Sequence, residues 1–121
     1  MIATVWRKPG LTLEEFTTRW RDGHAPLVIE HKKAMGFVRY VQSHRNDLPE
    51  FDAFIEARGW GAPPDGVAEL WFESEEAFRA TFASPETAAA SAILAEDEAV
   101  FVDMTRTSAF ISREFEVFND A

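Results

Sequence analysis

The alternation of residue types in residues 67–73 constrains the fold more than any other feature of the chain. Ala68, Leu70 and Phe72 share one side of a predicted strand, and Glu69, Trp71 and Glu73 share the other. One face of its sheet is therefore expected to lie on a core, while the opposite face presents a tryptophan among acids. A large exposed aromatic surface of this kind needs a covering partner.

The remaining patterns predict the order strand, helix, strand, strand, helix, strand. Strands are predicted at residues 2–6, 37–44, 67–73 and 100–107, and helices at 13–34, after Ser74, and from Ser84 and Pro85 to Ala95. The acidic residues 96–98 are expected in a solvated turn, and 110–118 as an extended tail. Residues 46–66 are predicted to be a long loop with a short helix near 51–58.

This order is typical of an α+β fold of the ferredoxin-like βαββαβ type, with an antiparallel four-stranded sheet and both helices on one side. The 121 residues fit a single domain, residues 1–121. Because the second sheet face lacks cover, we expect two copies to pack sheet to sheet. The expected assembly is a homodimeric α/β barrel with a cavity in each subunit.

The first helix is predicted to end beside a histidine. Thr12 and Glu15 form a capping-box pattern, and Gly23 is a candidate stop at the C-terminal end. His24 would then lie where the chain leaves the helix, just before Pro26. Helix ends commonly lie at the rim of a domain, where sites are built.

Composition excludes several classes of function. The net charge is −9 and no basic cluster is present, which argues against nucleic acid and against an anionic membrane surface. The chain contains no cysteine, and its three histidines lack the spacing of a metal site, so no metal is expected. With no apolar run long enough for a membrane span and no leader pattern, we expect a cytoplasmic protein. Nucleotide fingerprints and a GxSxG elbow are absent, so no cofactor is expected.

Three residues are candidates for acid and base chemistry. His24 titrates near neutral pH, although it could simply cap its helix. Glu69 would have a raised pKa if it shared a cavity with Trp71, the alternative being a salt bridge to Arg39. Asp103, expected in the middle of a strand, has either a hydrogen-bonding role or a site role. His31 is expected to be structural or exposed, and His44, at a strand end, is expected to be on the surface.

Other residues are candidates for binding an apolar, oxygenated ligand. Arg7 could bind a carboxylate or phenolate oxygen, although pairing with one of the many acids is the simpler expectation. The aromatic candidates for a pocket wall are Trp6, Trp60, Trp71 and Phe51. Core packing is the alternative explanation for each of them.

Four segments together resemble the EthD-like family of the dimeric α/β-barrel superfamily. They are RKPGL, EEFTTRWRDGHAPL, GVAELWFESEEAFRATFASPE and EDEAVFVD, and the resemblance covers most of the chain. It implies a homodimer, and it implies a role for His24, since the HAPL unit is where the family has its best-known histidine. Similar proteins are dehydratases, cyclases or decarboxylases of aromatic polyketides, others are labelled oxidoreductase-like, and the superfamily includes haem proteins. Fold follows from such a resemblance more firmly than reaction does.

These observations together predict a cofactor-free enzyme that transfers protons on a small, hydrophobic, oxygenated substrate, aromatic or polyketide-like. Dehydration, cyclisation and isomerisation fit this description, with His24 as base and Glu69 or Asp103 as its partner. The alternatives are an oxidoreductase auxiliary and a non-catalytic binding protein for an apolar metabolite.

Overall fold

The computed structural model describes all 121 residues. A layer of helices packs against one face of an antiparallel sheet. The four strands are β1 (Ile2–Val5), β2 (Arg39–His44), β3 (Gly66–Trp71) and β4 (Ser108–Phe110). Their order in the sheet is β2-β3-β1-β4, and every neighbouring pair is antiparallel. The predicted α+β class with a four-stranded antiparallel sheet is confirmed.

The chain contains six α-helices and one π-helical turn. The α-helices are α1 (Leu13–Thr18), α2 (Ala25–Glu30), α3 (Lys32–Met35), α4 (Pro49–Arg58), α5 (Glu75–Phe82) and α6 (Pro85–Phe101). The π-turn, Arg19–His24, joins α1 to α2. Thr12 and Glu15 form the predicted capping box at the start of α1. The predicted helix at residues 13–34 is therefore present but divided.

Gly23 does not end the first helix, which corrects the sequence prediction. The chain continues through Gly23 in the π-turn, where the N–H of Ala25 donates to the carbonyl of Trp20, five residues earlier. Pro26 follows at once, and in a regular α-helix its ring would clash with the carbonyl four residues before it. The wider turn precedes this proline and leads into α2.

The end of the second helical region also differs from the prediction. Residues 96–98 are not a solvated turn, because α6 continues to Phe101, and residues 100–107 do not form a strand. Val102 makes only an isolated bridge to Arg7, and the N–H of Asp103 donates to the carbonyl of Trp6 at 2.7 Å. The fourth strand begins at Ser108 instead, and the residues after Phe110 form no regular element.

The core lies between the helices and one face of the sheet. Its central cluster consists of buried side chains from β1, β3, the first helix with its π-turn, and the end of α6: Val5, Phe16, Trp20, Ala68, Leu70, Phe101 and Val102. Ala68 and Leu70 are the inward residues of β3, as the alternation predicted. Glu69 and Trp71 therefore lie on the opposite, open face.

Candidate active site

His24 and Asp97 form a hydrogen-bonded pair inside the helical layer. His24, the last residue of the π-turn, is buried, with 6% of its surface exposed. Its Nδ1 lies 2.7 Å from Oδ2 of Asp97 on α6, and its ring packs beside Phe101 with the ring centres 5.3 Å apart. Nε2 of His24 makes no hydrogen bond within the chain. The arrangement fixes one ring nitrogen and leaves the other free.

Arg19 holds the other oxygen of the Asp97 carboxylate. Its Nη2 donates to Oδ1 of Asp97, and its Nη1 lies 3.4 Å from Oδ2. Arg19 begins the π-turn and His24 ends it, so both partners of the carboxylate come from a single turn of the chain. A Cβ on Gly23 would overlap the Arg19 guanidinium. The glycine therefore makes room for this arginine.

The electrostatics of the pair favour a neutral imidazole and an ionised carboxylate. Burial lowers the pKa of His24 below its ordinary 6.5, more than the hydrogen bond that Nδ1 donates to Asp97 raises it. Burial alone would raise the pKa of Asp97, but hydrogen bonds from Arg19 and His24 bring it below its ordinary value. At neutral pH the imidazole proton therefore lies on Nδ1, which donates a hydrogen bond to Asp97, and Nε2 is a free base.

A ladder of polar side chains on the core side of β2 lies next to the π-turn. Nε2 of Gln42 donates to the carbonyl of Trp20 at 3.1 Å and to Oη of Tyr40 at 2.9 Å. Oε1 of Gln42 lies 2.8 Å from Nε2 of His44, whose ring packs on Trp20. Burial raises the pKa of Tyr40. His44 is therefore not the surface residue that was expected.

Sequence reasoning missed Asp97 because it ended the helix too early. Within α6, Ala90, Leu94 and Phe101 are buried at helical spacing, and Asp97 falls on the same stripe. Extending the periodicity of the predicted helix by one turn would have placed this carboxylate inward. Its neighbour Glu98 has a pKa raised by burial and by the Asp97 charge.

Glu69 and Trp71 lie on the other side of the sheet from His24. Together with residues of α5 and the C-terminal tail they line a half-open cavity of about 710 Å³. Nε1 of Trp71 donates to Glu114 of that tail at 3.1 Å. The salt bridge between Glu69 and Arg39 is not formed, because the Arg39 guanidinium lies over the Trp71 ring, 4.3 Å from its centre.

Trp6, Arg7 and Asp103 are brought together at a second place, a cleft of about 490 Å³ at the end of β1. The backbone N–H of Arg7 donates to Oδ2 of the buried Asp65 at 2.7 Å, and its Nη1 lies 3.6 Å from Oδ1. Arg7 thus pairs with an acid, as the simpler expectation had it. Asp103 lies in a turn and accepts from the N–H and hydroxyl of Thr105. It is not a strand residue.

Phe51 and Trp60 line neither of these two cavities. Phe51 is on α4 and Trp60 follows it; they are 54% and 56% exposed and flank Phe54 in an aromatic cluster. Helix α4 has no buried residue. The predicted site residues therefore fall into four separate groups, and only His24 lies in a buried, charge-coupled setting.

Two further features bear on ligands and surroundings. No group of three or more His, Asp or Glu side chains is arranged to hold a metal ion. None of the helices has both the length and the apolar character that crossing a membrane requires.

Comparison with known proteins identifies the family. The EthD domain model matches residues 8–105. A solved structure of an ethyl tert-butyl ether D (EthD) family protein from Bacillus halodurans superposes with a TM-score of 0.59 at 15% identity, covering 94% of this chain and 96% of that one. No curated protein matches the sequence. The structural likeness supports the fold, and the match of the family model over most of the chain shows that the protein belongs to the EthD family.

Proposed function

We propose that this protein is an enzyme that transfers protons on a small, hydrophobic, oxygenated molecule, aromatic or polyketide-like, without a cofactor. The observation that supports this most directly is the buried His24–Asp97 pair, in which Nδ1 is held at 2.7 Å and Nε2 is free. A carboxylate that orients a neutral imidazole is one of the arrangements that general base catalysis uses.

In the proposed reaction, Nε2 of His24 removes a proton from a carbon next to a substrate carbonyl. Asp97 stabilises the imidazolium that forms, and Arg19 keeps Asp97 ionised and in place. The imidazolium then returns the proton to a leaving hydroxyl, which gives dehydration, or to another carbon, which gives isomerisation. In a cyclisation, the carbanion attacks a second carbonyl carbon of the substrate, and the alkoxide formed there takes the proton. We assign the orienting role to Asp97 rather than to Glu69 or Asp103, because Asp97 is the carboxylate in contact with the ring.

Hydrogen exchange on a simple ketone tests this proposal. We expect the protein to speed deuterium incorporation at the α-carbon of 2-tetralone, an aromatic bicyclic ketone, when NMR follows the reaction in D₂O. His24→Gln should slow the catalysed exchange by about a hundredfold or more. His31→Gln, which changes a histidine outside the pair, should leave it unchanged. Equal rates for His24→Gln and the native protein would refute the role of His24.

A non-catalytic binding protein for an apolar metabolite is the second candidate. The open-face cavity supports it, since about 710 Å³ is enough for a small ligand, and eight of its 14 lining residues are hydrophobic. A carrier of this kind would bind 2-tetralone without exchanging its protons. Trp71→Ala would abolish that binding, and His24→Gln would leave it intact.

We further propose that the protein is a homodimer joined through the open sheet face. Cross-strand neighbours on this face include Ile2 with Phe110, and Val41 with Glu69. Phe110 is 56% exposed, and Ile2, Val41 and Val67 on the same face are only partly buried. A second copy of the same sheet would bury them, and each subunit's cavity would then be closed by its partner.

A further inference from the structure

The cleft at the end of β1 has a charge unlike that of the whole chain. Its walls include four cationic side chains, Arg7, Lys8, Arg45 and Arg106, and two carboxylates, Asp65 and Asp103. The chain as a whole carries a net charge of −9. A local excess of positive charge in an acidic protein concentrates anions at that place.

Both carboxylates of the cleft are already engaged. Asp65 is 4% exposed, and it accepts from the backbone N–H of Arg7 and pairs with Arg45 at 3.0 Å. Nε of Arg45 also lies 2.9 Å from Oδ1 of Asp47. Oδ1 of Asp103 accepts from the N–H and hydroxyl of Thr105, and these hydrogen bonds and the nearby Arg106 charge lower the pKa of Asp103. The two carboxylates are shared among four cations, so the cleft keeps a net positive charge, and neither carboxylate forms a hydrogen bond to the side chain of Arg7 or Arg106.

Arg106 and Arg7 retain unused hydrogen-bond donors. The Arg106 guanidinium lies over the Trp6 ring, 3.6 Å from its centre, and it forms no ion pair. Stacking holds the planar group while leaving its N–H edge open. The Arg7 side chain is 36% exposed, and its nearest carboxylate oxygen is 3.6 Å away. Two positioned guanidinium groups thus border one cleft.

We propose that this cleft binds a small organic carboxylate. Guanidinium groups bind a carboxylate through paired, charge-assisted hydrogen bonds, and Arg106 and Arg7 would supply these donors. Trp6, Leu11 and Pro63 line the same cleft and would contact the apolar part of the ligand. The proposal concerns a second site, separate from the His24–Asp97 pair, and it holds or fails independently of the catalytic proposal.

Benzoate is the probe that tests this site. At low ionic strength, we expect benzoate to shift the Nε–H resonances of Arg106 and Arg7 in a two-dimensional NMR titration. Arg106→Gln should weaken binding, measured by calorimetry, by about tenfold or more. Because Arg106 is exposed and unpaired, this variant is expected to fold normally.

Arg21→Gln is the matched control. It removes the same charge from an exposed arginine that pairs with Asp22 outside the cleft, so benzoate affinity should stay within about twofold of the native value. Equal weakening by both variants would show unspecific attraction and overturn the proposal. Inorganic phosphate is titrated in parallel: binding of phosphate but not of benzoate would refute a carboxylate site, as would the absence of Arg106 and Arg7 shifts.

Discussion

Burial makes His24 a weaker base than a free imidazole, and its hydrogen bond to Asp97 fixes the orientation of its ring. Burial lowers its pKa, while the Asp97 hydrogen bond acts in the opposite direction. Replacing Asp97 by Asn removes the negative charge that favours the imidazolium and leaves only a neutral hydrogen-bond acceptor. We therefore expect Asp97→Asn to lower the His24 pKa further, measured by NMR titration of the ring. An unchanged or higher pKa would show that the carboxylate does not act on the ring.

The depressed pKa of His24 also affects stability as a function of pH. Above its ordinary pKa of 6.5, His24 is neutral in the folded and unfolded states, so it adds no pH dependence. As the pH falls below 6.5, the unfolded chain takes up a proton that the folded protein resists, and stability is lost. Denaturant unfolding at a series of pH values should show a shallower loss for His24→Gln than for the native protein. Parallel curves would contradict this.

At the residue scale, the sequence allowed one member of the site to be predicted and not the others. His24 was recognisable because it stands alone between Gly23 and Pro26. Asp97 was not, because three consecutive acids suggested a solvated turn, and only their position on the stripe of α6 distinguishes the inward one. Arg19 could not be assigned either, since its partner lies 78 residues away in the sequence.

At the element scale, the π-turn places the side chains of Arg19 and His24 on the same carboxylate, that of Asp97. Gly23→Ala should displace the Arg19 guanidinium, because the new Cβ would overlap it. The pKa of Asp97 should then rise, since the Arg19 hydrogen bond is one of the interactions that lower it. Carbon-detected NMR of the side-chain carboxyl measures this shift. Arg19→Gln is the reference variant, and a rise there without one in Gly23→Ala would disprove the role of the glycine.

Gly66, the first residue of β3, is a second position where an element depends on a missing side chain. A Cβ there would lie 2.6 Å from the Ser43 backbone oxygen and would also meet the buried Trp20 ring. We expect Gly66→Ala to lower the free energy of unfolding by about 1–3 kcal/mol. Gly61→Ala, where no atom lies within 4 Å, should change it by less than about 0.5 kcal/mol. Equal effects in denaturant unfolding would contradict this.

The elements themselves differed in how well they could be predicted. Alternation fixed β3 and its faces, because a half-buried strand imposes a period of two. It failed after α6, where Val102 and Asp103 resemble a strand but only bridge the segment that leaves β1. The segment around Val102 has the residue types of a strand, but it pairs with its neighbour at one position only.

At the scale of the whole molecule, the open sheet face leads us to expect that two copies of the chain associate. Val67 lies in the middle of this face, paired across the sheet with Thr4 and Ser43. Val67→Glu would place a charge in the proposed interface, so we expect the dimer dissociation constant to rise by about tenfold or more in sedimentation equilibrium. Val100→Glu, at a 58% exposed position on α6, is the matched control. A native protein that remains monomeric would contradict the proposed assembly.

The protonation state of His24 is the sharpest test of the proposed base, because its measurement needs neither a substrate nor a partner. Long-range ¹H–¹⁵N NMR correlations of the His24 ring, recorded at neutral pH, distinguish the two neutral tautomers from the imidazolium. We expect a neutral ring with the proton on Nδ1, facing Asp97, and an unprotonated Nε2. A proton on Nε2, with or without one on Nδ1, would contradict this expectation, since no free base would then be available for proton transfer.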